Sequence, residues 1–141
     1  MTYWINTVSA DHVQRGVAGG FTQANHGKPD MLRKMSRDDW VIFYSPKTAF
    51  ENGEPLQAFT AIGRILDDEP YQAQVSPKFH PWRRKMEFLP CTATPIRPLL
   101  SRLECIADPQ RWGYKFRFGV FRIDEADFDL IRSVMTQPLA A

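Results

Sequence analysis

Trp40-Val41-Ile42-Phe43-Tyr44 is the stretch on which the fold turns. Five consecutive residues are apolar or aromatic and rich in strand formers, with no polar residue between them. A strand facing water on one side alternates. An unbroken apolar run predicts a strand buried on both faces, in the interior of a sheet. Asp38-Asp39 form the turn that feeds it, and Ser45-Pro46 end it.

Working outward, Tyr3 to Val8 reads as a first strand and Gln57 to Leu66 as a longer one, with Ala58, Thr60, Ile62 and Arg64 on one face. Gly63 marks a bulge or a close backbone approach. Tyr71 to Val75 and Arg84 to Leu89 read as further strands, the latter with Met86 and Phe88 inward and Lys85 and Glu87 outward. Phe116 to Ile123 is largely apolar on both faces and is expected to be a central strand. Ser9 is placed as the N-cap of a helix carrying Asp11 in its first turn and ended by Gly19-Gly20. Pro29 to Met35 predicts a short helix with Leu32 and Met35 buried, and Leu99-Leu100 begin another. Asp124 caps a last helix with Phe128, Ile131 and Met135 along one side, and the tail from Gln137 is expected to fray. The fold class is therefore α+β. About five or six strands form a curved mixed sheet or small barrel flanked by short helices, most too short to serve as parallel crossovers. No glycine-rich dinucleotide fingerprint and no P-loop is present.

At 141 residues, the chain is expected to form one domain over residues 1–141. No apolar run approaches the roughly 20 residues of a membrane helix, and the N-terminus lacks the pattern of a signal peptide. Cys91 and Cys105 are the only cysteines, which points to two free thiols and a cytoplasmic setting. The net charge of +2 conceals an asymmetry: residues 78 to 122 hold ten Lys and Arg against three acids. Such a cationic segment attracts phosphates if it converges on one face; the alternative is a scatter of ion-paired surface charges.

Gly19-Gly20-Phe21-Thr22-Gln23-Ala24-Asn25-His26-Gly27-Lys28-Pro29 has no helical period and no clean alternation, so it reads as a loop. It carries a ring, two amides, an imidazole and an ammonium, the chemistry that holds a planar hydrogen-bonding molecule such as a nucleobase. Phe21 is the stacking candidate. Gln23 and Asn25 either read a base edge or stabilise the loop through Asx-type turns. His26 is a contact rather than a catalyst, and Lys28 either meets phosphate or is solvated. Trp4 is either a pocket wall or core. Tyr44 and Ser45 end the central strand, where Ser45 either donates to a ligand or caps the turn before Pro46. Ser76 to Pro81 is a second irregular loop, and beside it Trp82, Arg83 and Arg84 combine indole and guanidinium, suited to stacking and backbone contact. Arg117 is a further phosphate candidate. The spacing of His12, His26 and His80 and of the two cysteines gives no metal site, and Ser45 lacks the glycine elbow of a hydrolase.

With these blocks in place, the chain resembles an EVE domain of the PUA-like superfamily, related to YTH and ASCH domains. The resemblance rests on Tyr3-Trp4-Ile5-Asn6, Gly20 to Pro29, Trp40 to Pro46, Gln57 to Gly63, Phe79 to Arg84, Pro95 to Leu99 and Phe118 to Phe121, in that order. It implies a curved, barrel-like mixed sheet. It also implies a nucleic-acid-binding module, partnered by DNA or RNA, whose pocket accepts a modified and flipped base, modified cytosine in DNA first among them. No cofactor and no reaction are required. The three-tryptophan cage of YTH relatives is not evident in order, and Trp4, Phe21 and Trp82 are the residues offered for its walls. Two alternatives remain. One is an ASCH-like enzyme acting on RNA or a nucleotide, with His26 or His80 paired to Asp30 or Glu87. The other is a small-ligand sensor or interaction module using the same pocket.

Overall fold

A computed structural model describes residues 1–137, with Asn25 described in its backbone alone. The strands are β1 (Tyr3–Thr7), β2 (Phe21–Thr22), β3 (Trp40–Lys47), β4 (Pro55–Ile65), β5 (Tyr71–Gln72), β6 (Trp82–Phe88), β7 (Thr94–Pro95) and β8 (Val120–Ile123). The helices are α1 (Ala10–Gly19), α2 (Gly113–Phe116) and α3 (Glu125–Met135). Six strands run β2-β6-β4-β3-β1-β8 across a sheet that curls into a half-barrel, with β5 added to β6 and β7 to β4. β1 and β3 pair in parallel, with Ile5 opposite Ile42, across a connection that contains α1. The other ladders described are antiparallel, so the sheet is mixed.

The apolar run at residues 40–44 is explained by what lies on each side of it. Successive side chains of a strand point to opposite faces. Ile42 and Tyr44 join Ile5, Phe59, Ile62, Phe128, Ile131 and Met135 in one core, roofed by α3. Val41 and Phe43 join Trp4, Val13, Ala61, Ile65 and Met86 in a second core, closed by α1 and by the 3₁₀ turn Leu32–Lys34. A strand between two cores cannot alternate. Each fully buried Ile or Phe contributes about 1.5–3 kcal/mol relative to exposure.

Local expectations fare unevenly. Gly20 ends α1 in the left-handed region at φ 70°, its N–H returning to Gly16 O. Gly63 is a close approach: a Cβ there would sit 2.7 Å from Glu87 O on β6. Ser9 precedes α1, but its hydroxyl donates to Asp11 Oδ1 (2.6 Å) rather than accepting a backbone N–H. Asp124 precedes α3 without a side-chain cap bond. The strand expected at Tyr71 to Val75 is only two residues long, and the helix expected at Pro29 to Met35 is a 3₁₀ turn that does bury Leu32 and Met35. The central strand expected at Phe116 to Ile123 is overturned. Phe116 ends α2, the chain reverses at Gly119 (φ 79°), and the strand is only β8, at the sheet edge beside β1. Phe116 mimics a strand residue because it is buried, but its ring packs 4.4 Å from Tyr44 from the end of a helix. The expected fray at Gln137 runs into residues outside those described. Among the described residues no helix is long and apolar enough to cross a membrane.

Candidate nucleic-acid interface

A cleft of about 650 Å³ opens where β1, α1, β2 and β6 meet three loops. Its base is Asn6, a buried amide on β1 among apolar neighbours. Asn6 Nδ2 donates to Thr22 Oγ1 (3.1 Å) and to Gln23 O (2.9 Å), fastening the glycine-rich loop to the sheet. A buried amide left unpaired costs about 1–3 kcal/mol, so these bonds fix the loop's entry. Asn6 also contributes to the cleft lining.

Phe21 lies against α1 so closely that a Cβ on Gly19 would meet its ring at 2.6 Å. The Arg83 guanidinium covers the ring at 3.7 Å, and Arg83 Nε donates to Gln23 Oε1 (2.6 Å). Ring, guanidinium and amide thus form one braced stack on the cleft wall. His26 holds a left-handed backbone (φ 60°) and Gly27 follows at φ 85°. A Cβ on Gly27 would sit 2.9 Å from Pro81 Cβ, so this position packs directly on the loop before β6. That conformation and that contact are why glycine occupies it.

The charge of the lining is one-sided. It includes Arg15, Arg83, Arg117, His12 and His26, and no aspartate or glutamate. The nearest carboxylate in sequence, Asp11, is turned to Ser9 and to His12 Nε2 (3.9 Å). Burial pushes its carboxyl up, but the Ser9 hydroxyl, the His12 N–H and the His12 and Arg15 charges outweigh it, holding Asp11 below the usual range. Three loops bring exposed apolar side chains to the rim: Phe50, then Val75 and Phe79, then Phe118. A cleft of single-sign charge with apolar walls concentrates anionic ligands.

Of the residues singled out from sequence, the structure gathers Phe21, Gln23, His26, Arg83 and Arg117 on this cleft. Asn25 lies in the loop's 3₁₀ turn, and its side chain falls outside the described residues. Lys28, near the end of the loop, is exposed and not on the lining.

Five placements are corrected. Trp4 is core: its indole N–H donates to Asp39 Oδ2 (3.0 Å), and the same carboxylate accepts from the N–H groups of Thr2 and Ser36. Tyr44 points into the opposite core, where burial pushes its phenol up to about 12. Ser45 is fully buried and shares a hydrogen bond with Thr60 Oγ1 (2.7 Å). Arg84 is fully buried, paired with Asp67 Oδ1 (2.6 Å), and donates to the carbonyls of Leu32 (2.7 Å), Met35 and Asp67 (2.7 Å). Trp82 flanks Arg83 on β6 and therefore faces the other side, in a separate notch with Arg33 and Asp68.

The acid–base partners named for the enzyme alternative, Asp30 and Glu87, lie off the cleft lining. Asp30 faces Arg33 (4.0 Å) and Glu87 faces Arg64 (3.2 Å). Among the described residues, no group of three or more His, Cys, Asp or Glu converges to hold a metal ion. Sequence reasoning missed Asn6 as the anchor, though a lone amide inside an apolar strand was the available signal. It also missed Arg15, Phe50 and Phe118.

Fold and cleft together define a PUA-like α+β half-barrel with a cationic, aromatic-rimmed pocket. Residues 2–134 match the family model of the EVE domain, and the chain belongs to that family, which is associated with nucleic-acid binding. It is 71% identical over 140 residues to a UPF0310 protein of Mycolicibacterium vanbaalenii, covering 99% of this chain and 97% of that one. It is 41% identical over 133 residues to the UPF0310 protein YdcG of Bacillus subtilis, covering 94% and 91%. Among solved structures, Rpa0253 of Rhodopseudomonas palustris shares the fold with TM-score 0.59 at 18% identity, covering 99% of this chain and 97% of that one. A protein from Leishmania major does so with TM-score 0.59 at 15% identity, covering 94% and 92%.

Proposed function

We propose that this protein binds DNA or RNA and takes one base, extruded and chemically modified, into the cleft beside Asn6. Modified cytosine in DNA is the leading ligand. The observation that carries the reading is the lining itself: three arginines and two histidines without a carboxylate, around amides and rings. Amides read the edge of a base, and a guanidinium plane stacks on its face. Phe21 then acts beneath Arg83, and the free face of the guanidinium receives the base. Asn6 Oδ1 offers an acceptor suited to an exocyclic amino group such as that of cytosine. Arg117 and Arg15 meet the flanking phosphates.

The test is direct binding to matched short DNA and RNA oligonucleotides carrying unmodified cytosine, 5-methylcytosine, 5-hydroxymethylcytosine or N6-methyladenine, at two salt concentrations. A preference for one modified base is expected, lost in Arg83→Ala. Arg117→Gln is expected to weaken binding to all sequences and to lower the slope of log affinity against log salt by about 1. Equal, steeply salt-dependent binding to every oligonucleotide reduces the cleft to a basic surface. No binding removes the nucleic-acid reading.

A further inference from the structure

We propose that Phe118, braced by Tyr114, is a stacking platform for the nucleobase next to the one held in the cleft; the inference rests on the base-binding reading above. Phe118 and Tyr114 are 60% and 64% exposed, among the most exposed large apolar residues described. They sit four residues apart and meet edge-on, ring centroids 5.4 Å apart at 90°. Their turn is well tied. Arg117 N–H returns to Tyr114 O (3.2 Å), Phe118 N–H to Lys115 O (3.3 Å), and Thr7 N–H on β1 donates to Gly119 O (2.7 Å). Phe116, between them, is buried against Tyr44 and anchors the segment. Two aromatic rings are therefore held in water on a fixed support, and Phe118 borders the cleft.

The occupant follows from charge. Tyr114-Lys115-Phe116-Arg117-Phe118 alternates ring and cation, and no acid lies between Asp108 and Asp124. Exposed rings interleaved with cations match a strand of bases joined by phosphates. Every base has a π-face, so such a platform is tolerant of sequence. Arg117, next to Phe118 and also on the cleft, is placed for the phosphate between the bound base and its neighbour. The side chains that read the modification lie deeper, so reading and gripping are separate tasks.

The experiment is a cycle between protein and ligand. Fluorescence anisotropy would measure short oligonucleotides with a central 5-methylcytosine, or whichever modified base the wild type prefers, flanked either by natural nucleotides or by abasic spacers. Phe118→Ala is expected to weaken binding of the naturally flanked oligonucleotide by about 5- to 100-fold. It should bind the abasic-flanked one as the wild type does. Phe118→Trp should retain wild-type affinity for both, and Tyr114→Ala should lose less than Phe118→Ala. Because the abasic comparison is made within one variant, a folding defect would weaken both ligands and is recognised as such; Phe118→Leu, which keeps apolar bulk without the aromatic face, then decides, and it should lose affinity for the naturally flanked oligonucleotide alone. If Phe118→Ala, or Phe118→Leu standing in for it, treats the two flanks with the same ratio as the wild type, the platform is overturned while the wild type's preference for the modified base keeps the cleft reading. If the wild type prefers no base, both fall.

Discussion

Replacing Arg84 with methionine tests whether this arginine belongs to the fold or to the ligand. The side chain is fully buried, and its guanidinium makes an ion pair and three bonds to carbonyls. Removing one member of a buried charge pair costs about 3–5 kcal/mol. Two features act in opposite directions here. The Asp67 side chain is 19% exposed and keeps its bond from Lys85 N–H (3.0 Å), so water takes up part of the orphaned charge. The carbonyls of Leu32 and Met35 lose their donor in the interior, at about 1 kcal/mol or more each. The expected loss is about 3–4 kcal/mol, which for a chain of this length lowers the melting temperature by about 10 °C. Arg84→Lys keeps the charge but not the planar fork, and about half that loss is expected. Urea unfolding followed by circular dichroism supplies the stability, and oligonucleotide binding well below the transition supplies the function. A melting temperature within about 2 °C of wild type refutes the energetic reasoning. Unchanged stability with a lost salt dependence would return Arg84 to the phosphate path.

Two further outcomes follow from the buried groups. Asp39→Ala removes the acceptor shared by Thr2 N–H, Trp4 Nε1–H and Ser36 N–H, and a loss of about 2–4 kcal/mol in urea unfolding is expected, smaller in Asp39→Asn. Burial first, and then Asp127, push the Cys105 thiol up to about 12, and burial does the same to Tyr44. Both are raised above their unfolded values of 9.0 and 10.0, so the unfolded chain ionises first and stability falls as pH climbs from 9.0 toward about 12, after being level in these groups below 9.0. Cys105→Ala and Tyr44→Phe should each flatten that decline in the urea midpoint; an unaltered slope in both would refute it.

Much of the sheet was legible because its interior strand is apolar on both sides and needs no partner to be recognised. The glycine-rich loop was legible only in part: its chemistry marks the irregular stretch from Gln23 onward, but Phe21–Thr22, expected as loop, is strand β2 on β6, because the pairing is supplied by residues 84 and 85, far away in sequence. The side chains of the site were less so, since strand parity decides them and parity depends on distant neighbours. Arg83 and Arg84 look equivalent in the sequence, yet one residue of register puts the first on the cleft and the second against Asp67. Trp4 looks like a ligand wall until Asp39, 35 residues away, is found beneath its indole nitrogen. Phe116 and Phe118 read as one strand because the turn at Gly119 is a conformational event, not a compositional one.

The adjacency of β1 and β8 has a consequence for how the chain is made. Tyr3 on β1 pairs with Ile123 on β8, far along the chain. Its other neighbour, β3, emerges earlier, but the β1 edge stays open until β8 has left the ribosome. Contacts of such sequence separation close slowly. This edge of the sheet is thus closed only once β8 is made, and a nascent chain stalled before residue 120 would present Trp4 and Ile5 along an unpaired edge to the first chaperone it meets.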